Sequence, residues 1–171
     1  MTTSSIKTKV TEARKVFEEI LQLNQVGNVR AWETGKRLSY MKKSGLFKFV
    51  VGDQTGKSDK ELALYKFFEL CNLPKSTGEG YVRLWEFWVE EMKLNYQNLA
   101  DISYRKLLLA IPFLREKKFG VDEVLSYARE LSIQDYSKFL SGNKLDCYHT
   151  DTEEKDKRIK ICKNCGKEIK K

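Results

Sequence analysis

Apolar side chains recur at intervals of three and four residues along most of the chain, which is the pattern of amphipathic α-helices. The first such segment draws a single apolar stripe on a helix from about residue 5 to residue 24. Comparable segments predict further helices over residues 28–44, 58–71, 76–92, 104–114, 121–131 and 133–140. Short connections between helices are typical of a compact bundle. The pattern therefore predicts an all-α domain, a helical bundle, over residues 1–140.

Residues that favour helix ends mark several boundaries. Asn28 is the predicted N-cap of the second helix and Gly45 its stop, after which residues 46–51 are predicted to be extended. Later helices are predicted to begin at serines, in capping boxes at Ser58/Glu61 and Ser76/Glu79 and at the single caps Ser103 and Ser132.

The helix predicted over residues 76–92 is apolar around much of its circumference, which places it at the centre of the core. Its tryptophans, Trp85 and Trp88, are accordingly expected to be core side chains. Cys71, on the apolar face of the preceding helix, is expected to be a buried thiol.

The sequence changes character after residue 140. The last thirty residues are highly charged, hold three of the four cysteines and the only histidine, and lack an apolar helical stripe. Residues 141–171 are therefore predicted to form a separate small module. A charged segment of this length buries too little apolar surface to order itself without a disulfide or a metal.

The spacing of the ligand-type residues in this module predicts a structural zinc ion. Cys147 and His149 are followed after twelve residues by Cys162 and Cys165, and zinc prefers four tetrahedral nitrogen and sulfur ligands. The flanks of the second pair alternate polar and apolar residues, which predicts a β-hairpin with the cysteines at its tip. Four protein ligands leave no open position for catalysis. Asp146 or Asp151 in place of Cys147 or His149 stays an alternative.

The charge balance favours an anionic partner. The net charge is +8, and five of these charges fall between Arg30 and Lys60, which argues for nucleic acid. No apolar run approaches the roughly 20 residues of a membrane span, and the N-terminus lacks an apolar signal segment. A cytoplasmic protein is therefore expected, in which cysteines act as thiols or metal ligands.

Residues 58–92 are predicted to form a helix, a short turn and a second helix. Asn72 stands where the turn needs a left-handed residue, and Leu73 is expected to fill the angle between the helices. Tyr81 and Leu84 are expected to face the core. The polar side chains of the second helix are expected to face outward: Lys75, Ser76, Thr77, Glu79 and Arg83.

The segments Leu73-Pro74-Lys75-Ser76-Thr77 and Tyr81-Val82-Arg83-Leu84 resemble the helix-turn-helix of bacterial, phage and plasmid DNA-binding regulators and partition proteins. The resemblance covers residues 62–85 and departs from the family at Gly78, where an apolar residue normally packs. It implies that the second helix enters the major groove of duplex DNA by its N-terminal residues. The implied DNA contacts are Lys75, Ser76, Thr77 and Arg83. A different helix, the one predicted over residues 28–44, adds basic residues for phosphate contacts: Lys36, Arg37, Lys42 and Lys43.

The first hypothesis is therefore a DNA-binding regulatory or accessory factor of a bacterial or mobile-element genome. The alternative is a phage-type adaptor that docks on a host protein through the zinc hairpin. An enzyme is not expected, because the only histidine is assigned to zinc and the carboxylates lie on charged helical faces. An NTPase is disfavoured because the loop from Gly52 to Ser58 has three residues between its glycines, whereas the phosphate-binding motif has four.

Overall fold

The computed structural model describes residues 3–23, 27–52 and 60–142, together with the backbone of three strands near the C-terminus. The chain forms two compact units, Met1–Arg129 and Glu130–Lys171. The predicted domain boundary after residue 140 stays a prediction. Within the described ranges, no helix combines the length and the apolar character needed to cross a membrane.

The first unit is helical, as the periodicity predicts. Its elements begin with α1 (Thr3–Gln22), α2 (Asn28–Ser44), the single turn α3 (Phe47–Val50), α4 (Lys60–Leu70) and α5 (Lys75–Trp85). A π-helical turn (Glu86–Glu91) continues α5, and a 3₁₀ turn (Tyr96–Leu99), α6 (Tyr104–Arg115) and α7 (Val121–Glu130) follow.

The second unit contains α8 (Ile133–Leu140), which is capped by Ser132 as predicted, with the Ser132 hydroxyl accepting from the Asp135 N–H at 3.1 Å. Three strands follow, β1 (Thr152–Asp156), β2 (Ile159–Cys162) and β3 (Glu168–Lys170), in an antiparallel sheet of order β1-β2-β3. The hairpin predicted around Cys162 and Cys165 corresponds to β2 and β3. The sequence does not predict β1.

The structure corrects two predictions around α2. Gly45 ends the helix in a left-handed conformation, with φ of 71°, as predicted. Residues 46–51 are not extended, because α3 packs the ring of Phe47 against Phe67, with the ring centroids 6.5 Å apart. Asn28 does not cap its own helix. Its amide instead spans the loop before α6, accepting from the Tyr104 N–H at 3.1 Å and donating to the Ala100 carbonyl at 3.2 Å.

The start of α5 is also corrected. The helix begins at Lys75, with Pro74 in the N-cap position, so Ser76 lies inside the first turn and the predicted Ser76/Glu79 capping box is wrong. The carbonyl of Pro74 accepts from the Thr77 and Gly78 N–H groups at 2.9 and 3.0 Å, and this backbone contact opens the helix. Ser103 occupies the N-cap position of α6 as predicted, although its side chain makes no capping bond. Ser58 lies outside the described residues.

The centre of the first unit is α5, as its apolar circumference predicts. Gly35 of α2 lies so close to α5 that a Cβ atom there would meet the backbone carbonyl of Tyr81. Gly78 faces α4, and Gly80 faces Leu108 of α6. Glycines at these positions therefore let three helices approach α5 closely.

Candidate nucleic-acid interface

The turn between α4 and α5 has the geometry that the sequence predicts. Asn72 is left-handed, with φ of 55°, and it donates its N–H to the Glu69 carbonyl at 2.9 Å. Leu73 donates its N–H to the Phe68 carbonyl at 2.9 Å, and its side chain is only 6% exposed. The predictions of a left-handed Asn72 and a buried Leu73 are confirmed, and the turn is held by backbone bonds to the end of α4.

Gly78 explains how the two helices of this hairpin meet. A Cβ atom at Gly78 would lie 2.7 Å from the ring of Phe68 on α4, which is fully buried. The Phe68 ring therefore fills the space that a side chain at position 78 would otherwise occupy. Tyr81 and Leu84 are buried, as predicted. Gly78 is thus a place where α4 and α5 pack closely against each other.

The outer face of α5 is narrow, because α2, α4 and α6 cover the rest of its circumference. Lys75, Ser76 and Arg83 are exposed, and Thr77 and Glu79 are half-buried. We call the predicted contact residues on this side (Lys75, Ser76, Thr77 and Arg83) the hairpin face. Within the part of the chain that the structure describes, Arg83 forms no ion pair.

Lys75 is held by side chains of α4. Its ammonium lies 3.5 Å from the centroid of the Tyr65 ring, and the Tyr65 hydroxyl donates to the carboxylate of Glu61. Contact with the Tyr65 hydroxyl raises the pKa of Lys75, so the ammonium remains charged at neutral pH. The sequence offered one signal for this cluster, the spacing of four residues between Glu61 and Tyr65 on one helix face.

Three of the four basic residues predicted on α2 already have carboxylate partners. Arg37 bonds to Glu33 at 2.6 Å and to Glu19 at 3.1 Å. Lys42 pairs with Glu86 at 3.1 Å, and Lys43 pairs with Glu90. Lys36 lies 5.7 Å from the centroid of the Trp85 ring. A DNA phosphate would compete with these carboxylates, at modest cost at Lys42 and Lys43, since exposed pairs contribute only about 0–1 kcal/mol. Arg37 is half-buried and holds two carboxylates, so it is the least available of the three.

Cys71 is 3% exposed, and burial raises the pKa of its thiol to about 12. The predicted buried thiol is confirmed, and it stays protonated at neutral pH. Trp88 is fully buried as predicted, with its indole N–H donating to the Leu107 carbonyl at 3.3 Å. Trp85 is only half-buried, so its prediction as a core side chain is wrong in part.

The predicted zinc ligands Cys147, His149 and Cys165 lie outside the described residues, as do Asp146 and Asp151, and Cys162 is described only as the last residue of β2. Within the described residues, no cluster of three or more His, Cys, Asp or Glu could hold a metal ion. No protein-family model, no curated protein and no solved structure matches the chain.

Proposed function

We propose that the protein binds duplex DNA through the hairpin of α4 and α5. The observation that carries this proposal is the turn itself, in which the left-handed Asn72 and the buried Leu73 leave the first turn of α5 accessible. The positive end of a helix dipole and the unpaired N–H groups of a first helical turn favour phosphate. Lys75 and Ser76 stand at that end.

The residues of the hairpin face have different environments and therefore different roles. Arg83 is exposed without a carboxylate partner among the described residues, so its guanidinium is the group most available for a base edge or a phosphate. Lys75 is fixed against Tyr65, which suits a phosphate contact of defined position. The paired cations of α2 contribute to the field around the hairpin. The role as a regulatory or accessory factor of a bacterial or mobile-element genome is what the resemblance of residues 62–85 implies.

The test is binding of a mixed-sequence duplex at several salt concentrations. The slope of log K against log salt is expected to correspond to several phosphates, at about −0.9 for each. In the double variant Lys75→Ala/Arg83→Ala, we expect affinity to fall about tenfold or more and the slope to become shallower by about 2. Both side chains are exposed, so the fold should be unaffected.

The matched control is Lys7→Ala/Arg14→Ala, which removes two exposed charges from α1. It leaves the net charge equal to that of the hairpin variant, and its affinity should stay close to that of the unmodified protein. Equal losses in the two variants would mean that only net charge matters. Absence of binding at low salt would reduce the hairpin to a structural element.

We further propose that the C-terminal module holds one structural zinc ion with Cys147, His149, Cys162 and Cys165. The ligand spacing supports this assignment, as does the position of Cys162 at the end of β2, next to the segment that leads to β3. Zinc content should be one equivalent in the unmodified protein and close to none in Cys162→Ser. Cys71→Ala, which alters a buried thiol far from the module in sequence, should retain the full equivalent. If Cys162→Ser kept its zinc as Cys71→Ala does, the site would be refuted.

A further inference from the structure

An open groove crosses the outward face of α2, between α1 and the end of α5. Its volume is about 700 Å³, within the range of roughly 300–1,000 Å³ that is usual for sites of small molecules. The floor is formed by α2, with Lys36, Arg37, Tyr40, Lys43 and Ser44. One wall comes from α1 and the other from Trp85 and Glu90.

Most charged groups in the groove are already paired within the protein. Glu19 binds Arg37, and Glu90 binds Lys43, so neither carboxylate needs a cation from a ligand. Lys36 is exposed and forms no ion pair with a residue that the structure describes. Lys36 is therefore the one cation of the groove without a carboxylate ion pair among the described residues, and its ammonium lies 5.7 Å from the centroid of the Trp85 ring.

The Trp85 ring beside Lys36 is held in place by Tyr96. Trp85 packs on Tyr96, with ring centroids 5.7 Å apart, and the Tyr96 hydroxyl donates to Glu33 at 2.7 Å. That hydrogen bond is the main cause that lowers the pKa of Glu33, so the carboxylate stays ionised and keeps Tyr96 in place. Trp85 thus presents a held, half-exposed aromatic surface to the groove, on which a planar ring can stack.

We propose that this groove binds a small planar aromatic anion of the mononucleotide type, with its ring against Trp85 and its phosphate at Lys36. None of Lys75, Ser76, Thr77 or Arg83 lines the groove, but Lys36, Arg37 and Lys43 belong both to it and to the phosphate contacts predicted on α2. The two proposals are told apart by Lys75→Ala/Arg83→Ala, which should weaken DNA binding and leave AMP binding unchanged.

The tryptophans of the chain give a direct measurement. Trp32 and Trp88 are fully buried, so Trp85 is the tryptophan that a ligand in the groove can reach. The three tryptophans give three indole N–H signals in a ¹H–¹⁵N spectrum, and the signal that disappears in Trp85→Phe is that of Trp85. Titration with AMP should shift the Trp85 signal saturably and leave the other two in place. Adenosine, which lacks the anion, should bind more weakly, and inorganic phosphate should not reproduce the shift.

Three lysine variants test the role of the charge and its place. Lys36→Gln should weaken AMP binding about tenfold, the loss of one charge-assisted contact. Lys42→Gln removes the same charge from the same helix but from a side chain outside the groove, and it should bind AMP normally. Lys57→Gln should also bind normally, which separates the groove from the sequence segment between Gly52 and Ser58.

Four results would overturn the proposal. The first is a Trp85 signal that AMP leaves unmoved, and the second is an equal loss of AMP binding in Lys36→Gln and Lys42→Gln. The third is a shift of Trp85 by inorganic phosphate as large as that by AMP, which would remove the aromatic half of the proposal. The fourth is binding that depends on Lys57, which would move the site to that segment.

Discussion

Replacing Gly35 with alanine is expected to destabilise the first unit by about 3 kcal/mol or more, enough to unfold a marginally stable domain. A glycine inside an exposed helix normally behaves the other way, since alanine there stabilises by about 1 kcal/mol. The sign reverses because the added methyl group would meet the Tyr81 carbonyl oxygen and lie 3.1 Å from its carbon. A backbone carbonyl inside α5 cannot turn aside, so α2 and α5 would have to separate.

Chemical denaturation followed by far-ultraviolet circular dichroism measures this change. The control is Gly120→Ala, because Gly120 has no atom within 4 Å of an added Cβ and does not need a left-handed backbone. Gly120 precedes α7, where alanine is a poorer N-cap than glycine, so a cost of about 1 kcal/mol or less is expected. Comparable losses in the two variants would show that α2 and α5 are not in close contact.

Replacing Gly78 with alanine is expected to destabilise the protein by about 2 kcal/mol. Here the obstacle is the ring of Phe68, three atoms of which would lie 2.7–2.9 Å from the new methyl group. The ring is fully buried and has little room to move. Unlike the backbone carbonyl that opposes Gly35→Ala, however, it is a side chain and can be removed by a substitution. The same substitution should weaken DNA binding, because it pushes the first turn of α5 away from α4.

A second substitution makes this prediction specific. Phe68→Leu alone should cost about 1 kcal/mol through the space it leaves. Combined with Gly78→Ala it should cost less than the sum, with a coupling of about 1 kcal/mol, because the methyl group enters that space. Additive costs would place the strain of Gly78→Ala elsewhere than at Phe68. No side-chain exchange is expected to relieve Gly35→Ala in this way.

The longer helices of the first unit were predictable because each carries its own periodic signal, whereas α3 was not. The second helix was predicted at residues 28–44 and runs over the same residues, since its stripe is periodic and Gly45 permits the left-handed end. Asn72 was equally readable, because few residues other than glycine tolerate its conformation. Local chemistry, acting within a few residues, is sufficient at both positions.

Features that depend on distant residues were not predictable. The partner of Lys42 is 44 residues away, at Glu86, and no local pattern connects them. The local sequence of residues 46–51 predicts an extended segment, but the helical turn α3 forms there because Phe47 packs against Phe67 in the core. Gly78 looks like a weakness in the second helix of the hairpin until Phe68 is seen to occupy its place. The exposure of Lys75, Ser76 and Arg83 could therefore be predicted from the sequence, whereas the partners of the α2 cations follow only from the packing of distant residues.

The π-helical turn after α5 closes with the Met92 N–H donating to the Phe87 carbonyl at 2.9 Å, five residues apart instead of four. Such a turn holds one residue more than an α-helical turn. A related chain that is one residue shorter here could close an ordinary turn while α5 keeps its register with α2. The carboxylates after the deleted residue would rotate about the helix axis, so the ion pair between Lys43 and Glu90 would be lost unless another carboxylate replaced Glu90. Variation in length among relatives is therefore expected to concentrate at this turn.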